Sequence, residues 1–162
     1  MPSIISKIKP LNEIISIVQK LKKQNKKIVT TNGVFDILHP GHVQYLEEAK
    51  NRGDLLVVGV NSDESVRQNK GSKRPINDEI SRISVVAALE SVDYLFIFNE
   101  KYPKAWLKKI KPHFHVKADD YQIDRVIEKN VVEENGGKII LIPISKGYST
   151  TNLIKKIVNL YK

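Results

Sequence analysis

The chain has 162 residues, 41% of them apolar, with 27 basic against 18 acidic side chains and a formal net charge of +9. That length and composition fit one globular domain over 1–162 with a sizeable core, and the charge suits an anionic partner such as nucleic acid, a membrane surface or a phosphorylated small molecule. The absence of cysteine excludes disulfides, thiolate metal sites and cysteine nucleophiles, and no apolar run approaches a membrane span, so a soluble, cytoplasmic protein with no membrane partner is expected.

Leu11, Ile14, Ile15, Val18 and Leu21 recur at helical spacing and predict an amphipathic helix over 11–24. The run "KLKKQNKK" at 20–27 reads as its solvated end. No aromatics interleave with it, so nucleic acid is not expected as a partner. "KIVTT" (27–31) predicts a strand, and 42–52 a helix burying Val43, Leu46 and Ala49, with Gly53 at its C-terminal end. "LLVVGV" (55–60) is apolar without alternation, as a strand covered on both faces requires. A short helix over 63–68, a polar basic loop "NKGSKRPIN" (69–77) and a helix over 78–90 follow. The remaining elements are a strand at 93–98, a helix at 103–110, a strand at 113–117, a helix at 124–134, a strand at 138–144 and a closing helix at 150–161. Strands and helices thus alternate, with no linker or repeat. The expected fold is α/β, a doubly wound, Rossmann-like parallel sheet of five strands. In such sheets ligands bind beyond the carboxyl ends of the strands.

The chemically interesting residues fall at those ends. "NGVFDILHPGH" follows the strand at 27–31, and it holds His39 and His42, two of the four histidines. Asn32 and Gly33 permit a sharp turn and close approach of a ligand. Gly41 and His42 open a helix whose first N–H groups are unpaired, a ready anion site. Capping and packing would also account for the turn. A zinc site would need further ligands, and neither cysteine nor an H-E-x-x-H pattern supplies them, so no metal site is expected at these histidines. In the basic loop, Lys70, Lys73 and Arg74 beside Gly71 are either solvated charges or a lid over a polyphosphate. Arg82, one turn into the next helix, reaches the same pocket or lies on the surface. "VKADDY" places Lys117, Asp119 and Asp120 past the strand at 113–117, as ligand contacts or as a helix N-cap. "SKGYSTTNLI" offers Ser149, Thr150 and Thr151 as caps or as a second phosphate cradle, with Lys146 adding charge. A polyphosphate site accounts for the grouping better than independent caps do. Neither a Walker A sequence nor G-x-G-x-x-G is present.

His39-Pro40-Gly41-His42 resembles the motif of the H-x-G-H nucleotidyltransferases. Within that superfamily "TNGVFDILHPGHV", "VNSDES", "KGSKRPIN", "ALESVDY", "VKADDY", "NGG" and "STTNLIKKI" look like the bacterial ADP-heptose-forming adenylyltransferases, over nearly the whole chain. Val34 stands where that family often has Cys, and Ala118-Asp119-Asp120-Tyr121 where it has Gly-Gly-Asp-Tyr. The resemblance implies transfer of AMP from ATP to D-glycero-D-manno-heptose 1-phosphate, releasing pyrophosphate. Many relatives carry a fused sugar kinase domain, and a separate protein is expected to make the 1-phosphate here. By resemblance His39 and His42 contact the triphosphate, with Lys70 and Arg74 as counter-charges. Ser149, Thr150 and Thr151 hold the β- and γ-phosphates, and Asn32, Gly33, Phe35 and Gly41 shape the nucleotide turn. Asp36 orients a phosphate-side lysine, while Lys117, Asp119 and Asp120, with Arg82, lie near base and sugar phosphate. Mg²⁺ is expected to bind through the ATP phosphates, and a homodimer is expected. A CTP-dependent glycerol 3-phosphate cytidylyltransferase carries a similar "GYSTT" ending and is the alternative. An FAD-forming adenylyltransferase is more distant, and a non-catalytic nucleotide- or nucleic-acid-binding protein is a different class.

Overall fold

A computed structural model describes residues 3–119, 122–143 and 147–161. Helix α1 (Leu11–Lys23) is followed by β1 (Ile28–Gly33), α2 (Pro40–Lys50), β2 (Leu55–Asn61), α3 (Asp63–Lys70) and α4 (Glu79–Ala87). Next come β3 (Tyr94–Phe98), α5 (Lys104–Ile110), β4 (Phe114–Ala118), α6 (Lys129–Glu133), β5 (Lys138–Ile142) and α7 (Thr150–Leu160). The five strands are all parallel in the order β3-β2-β1-β4-β5, so the chain reverses direction across the sheet between β1 and β4.

The apolar run of β2 feeds two cores. Leu56, Val58 and Val60 pack with Leu46 and Ala49 of α2 and with Ile83 and Val86 of α4. Leu55 and Val57 face the other way, onto Ile14 and Val18 of α1 and Trp106, Leu107 and Ile110 of α5. Period-two alternation within an apolar strand serves both layers, and this makes the sheet doubly wound. A Cβ on Gly59 would stand 3.1 Å from Cζ2 of Trp106, so glycine lets the indole lie close against the sheet.

Two local departures from sequence expectation have physical reasons. The region read as a helix over 124–134 is a 3₁₀ turn at Ile123–Arg125, extended backbone at Val126, and then α6. Val126 and Glu128 are both buried; residues two apart point to different sides of a helix, so a continuous one would not bury both. Gly53 lies beyond the end of α2 at Lys50 and serves as a close-approach site. A Cβ there would fall 2.7 Å from Val29 Cγ2 and 2.8 Å from the Lys27 carbonyl. Ahead of α1, a 3₁₀ turn at Ile4–Lys7 leads Ile8 into a parallel bridge with Leu95, with the Lys9 N–H donating to the Leu95 carbonyl at 3.0 Å. This segment covers the β3 edge of the sheet.

Candidate functional site

β1 ends at Gly33, and the turn after it is built by steric fit. Phe35 holds a left-handed backbone (φ 49°) and buries its ring against Gly33, where a Cβ would lie 2.9 Å from two ring carbons. Beyond it His39 is the extended residue preceding α2, and Pro40 takes the first helical position. The His39 and His42 rings stack at 3.8 Å between centroids and 16° between planes, and Phe35 meets His42 edge-on at 5.4 Å. Gly41 passes beneath them, for a Cβ there would be 3.1 Å from Tyr148 Cβ and 3.2 Å from His39 Nδ1. The Nδ1 atoms of both histidines and Oδ1 of Asn32 are buried without a hydrogen-bond partner. Burial, and then the neighbouring His39, lower the His42 pKa to about 4; burial lowers that of His39 as well. Both imidazoles are therefore neutral near pH 7, each with one N–H to donate.

These groups open onto a cavity of about 440 Å³ lined by Asn32, Gly33, Phe35, His39, Gly41, His42, Lys117 and Ser149, together with Val34, Tyr45, Ala118 and Tyr148. It lies where β1 and β4 diverge in connection, the position a switch point dictates. Ser149 spends its hydroxyl as the N-cap of α7, accepting from the Asn152 N–H at 3.3 Å. Thr150 donates to the Ile37 carbonyl at 3.5 Å, and Thr151 is exposed on the first turn. Lys117 reaches Glu128 at 3.0 Å, both side chains largely buried.

Other sequence candidates sit elsewhere. Asp36 faces away from the cavity and binds the basic loop: its carboxylate accepts from the Ile76 N–H at 2.9 Å, from the Asn77 N–H at 2.8 Å and from Arg74 Nε at 2.6 Å. Its burial would raise the pKa, but these donors outweigh burial and lower it. Asp36 thus orients Arg74 and not a lysine, and the loop read as mobile is pinned through its second half. Arg82 corrects both of its readings. Its guanidinium is buried, not on the surface, and donates to the carbonyls of Val34, Asn61 and Asn77 and to Asp63 at 2.6–3.0 Å. That leaves it tying loops together instead of lining the cavity. Asp119 is exposed one residue past β4, with its N–H on the Ile142 carbonyl at 2.9 Å, and it caps no helix. Asp120 and Lys146 lie outside the described residues.

Lys70 is the last residue of α3, before Gly71 (φ 89°), and lines a second cavity of about 350 Å³. Asn32, Gly33, Val34 and Lys117 line both cavities. The second also draws on Asn61, from "VNSDES", and on Lys101, Tyr102, Arg125 and Glu128, which belong to none of the quoted motifs. Tyr45 was equally hidden; its hydroxyl donates to the Val116 carbonyl at 2.9 Å and meets Thr31 Oγ1 at 2.7 Å. Helical spacing four residues beyond Gly41 was its only signal. Among the described residues no three His, Asp or Glu converge to hold a metal ion, and no helix is long and apolar enough to cross a membrane.

Comparison with known proteins identifies the family and the fold. Residues 30–156 match the cytidylyltransferase-like family model. The chain is 48% identical over 156 residues to the "Bifunctional protein HldE" of Geobacter metallireducens, covering 96% of this chain and 32% of that protein. The protein of the same name from Aliarcobacter butzleri is 48% identical over 94% of this chain. The chain spans about a third of the length of these relatives. Among solved structures, a lipopolysaccharide core biosynthesis protein from Thermoplasma volcanium shares 35% identity with a TM-score of 0.63, over 76% of this chain and 99% of that one. A pantoate-beta-alanine ligase from Francisella tularensis shares the fold at 22% identity, with a TM-score of 0.66 over 94% of this chain and 76% of that one. The sheet order, the H-x-G-H turn at the switch point and the family match lead to one conclusion: the chain belongs to the cytidylyltransferase-like family of transferases.

Proposed function

We propose that the protein transfers AMP from ATP to D-glycero-D-manno-heptose 1-phosphate, forming ADP-heptose and pyrophosphate. The observation that carries this reading is the stacked His39–His42 pair at the start of α2, open to a cavity at the strand ends with α7 opposite. The names of the relatives support the sugar-phosphate class: HldE for the curated proteins and lipopolysaccharide core biosynthesis for the Thermoplasma structure.

A phosphate oxygen of the sugar attacks the α-phosphorus in line. A new O–P bond forms, the bond from the α-phosphorus to the bridging oxygen breaks, and pyrophosphate leaves with the electron pair. The nucleophile is already anionic, so no general base is required, consistent with histidines held neutral. Their N–H groups and the first amides of α2 donate to the triphosphate where charge gathers on the departing oxygen. Lys117 brings positive charge from the wall shared by the two cavities and Lys70 from the second cavity, while Ser149 lines the histidine cavity. Among the described residues no acidic side chains form a cage for Mg²⁺, so the ion would be held mainly by the phosphates and would shield their charge.

The test is pyrophosphate release from Mg·ATP or Mg·CTP across a panel of sugar and polyol phosphates. Turnover of ATP with heptose 1-phosphate is expected. Turnover of CTP with glycerol 3-phosphate, and none with ATP and the heptose, would overturn the assignment.

A further inference from the structure

The second cavity gathers three cations that bond to no carboxylate among the described residues. Four of the five arginines bond to a carboxylate: Arg52 to Glu48, Arg67 to Glu64, Arg74 to Asp36 and Arg82 to Asp63. Among the described residues only Arg125 has no such partner, and it lines this cavity. Lys70 and Lys101 line it too, likewise without a carboxylate; Lys101 rests over the Tyr102 ring at 5.4 Å. The cavity's own carboxylate, Glu128, is buried and engaged by Lys117 at 3.0 Å. Three cations thus surround a space in which the acid is already neutralised. All three side chains are exposed, and three like charges drawn to one cavity with no carboxylate to answer them favour an anionic ligand there.

Position identifies which anion. Asn32, Gly33, Val34 and Lys117 form the common wall of the two cavities. The histidines lie on one side of that wall, with α2 and α7. On the other side are the end of β2 (Asn61), the end of α3 (Lys70), the loop after β3 (Lys101) and the turn after β4 (Arg125). In-line displacement needs the nucleophile to enter opposite the leaving group. With pyrophosphate leaving on the histidine side, the incoming phosphate must come from the other.

Resting on the proposed transfer reaction, we infer that the second cavity is the acceptor-phosphate site and that Arg125 and Lys101 are acceptor-binding residues. Arg125 presents a planar fork suited to two oxygens of a phosphomonoester, and Lys101 adds a point charge. Together with Lys70 they offset the repulsion between a dianionic acceptor and the triphosphate. The site therefore selects phosphorylated over free sugars.

The test uses Arg125→Ala, Arg125→Lys and Lys101→Met in the full chain. In steady state, Arg125→Ala raises KM for heptose 1-phosphate by about 10- to 100-fold, the cost of charged hydrogen bonds, and leaves KM for ATP within about twofold. Lys101→Met acts in the same direction, and Arg125→Lys recovers part of the loss. A second arm needs no turnover: inorganic phosphate is titrated calorimetrically into protein saturated with α,β-methylene-ATP. Wild type binds phosphate, and Arg125→Ala loses about 10-fold or more in affinity. A rise in KM for ATP alone, equal constants in all variants, or phosphate binding that is absent or indifferent to Arg125 would each overturn the inference. Should wild type turn over another phosphomonoester, the substrate reading falls while the phosphate arm still decides this one.

Discussion

His42 carries the larger perturbation of the two stacked imidazoles, held near 4 by burial and by its neighbour His39. A histidine whose folded value lies below the unfolded one of about 6.5 takes up its proton more readily in the unfolded chain. Its contribution to stability is therefore fully present above about pH 6.5 and is lost as the pH falls from there towards 4. His39, His113 and His115 are shifted in the same direction, each by burial first, and add to the same acid weakening. The urea midpoint of the wild type should fall between pH 7.5 and pH 5, and His42→Asn should show a smaller fall. An equal fall in both would remove His42 as a source. The same variant should lose about 10²- to 10³-fold in kcat, the usual cost of one preorganised donor to developing charge, and near-normal turnover in a folded variant would refute the assigned role. At this scale the sequence was informative where residue type and chemistry coincide, as at His39, Gly41 and His42. It was misleading at Arg82, since a charged residue at a helix start looks exposed until the carbonyls of Val34, Asn61 and Asn77 are folded around it.

Among the elements, the segment 71–77 illustrates how a composition read as loose is fixed by one acid. Asp36 collects two backbone N–H groups and a guanidinium at once. Removing it strands partly buried donors, at about 1–3 kcal/mol, or roughly 2–4 °C in melting temperature per kcal/mol for a domain of this size. Asp36→Ala should therefore lower the melting temperature by several degrees and expose 71–77 to limited proteolysis, with cleavage reported by mass spectrometry. Unchanged melting and protection would mean the anchor carries no weight. The Asp36 contribution is fully present above the unfolded value of about 3.9 and disappears as pH falls through its lowered folded value. Element positions were largely legible, because α1 and α4 follow the helical hydrophobic period and β2 is one apolar run with clear stops. The break at Val126 was not, because it serves two tertiary demands, a core contact and the ion pair of Glu128, that leave no local trace.

For the whole molecule, the net charge of +9 predicts electrostatic steering of both anionic substrates. Raising KCl from about 50 to about 300 mM shortens the screening length from about 14 to about 6 Å, and kcat/KM should fall while kcat holds nearly constant. A fall confined to kcat would place the salt effect in the chemical step. Sheet order and the second cavity were illegible in sequence for one reason: Asn61, Lys101 and Arg125 meet only because β2, β3 and β4 are laid side by side around β1. The buried guanidinium of Arg82 has a further consequence for how this assembly breathes. It holds the turn after β1, the end of β2 and the approach to α4 through a single planar group. Partial opening of any one of these strips donors from the others, so amide exchange across all three should proceed as one foldon. The floors of the two cavities loosen together or not at all.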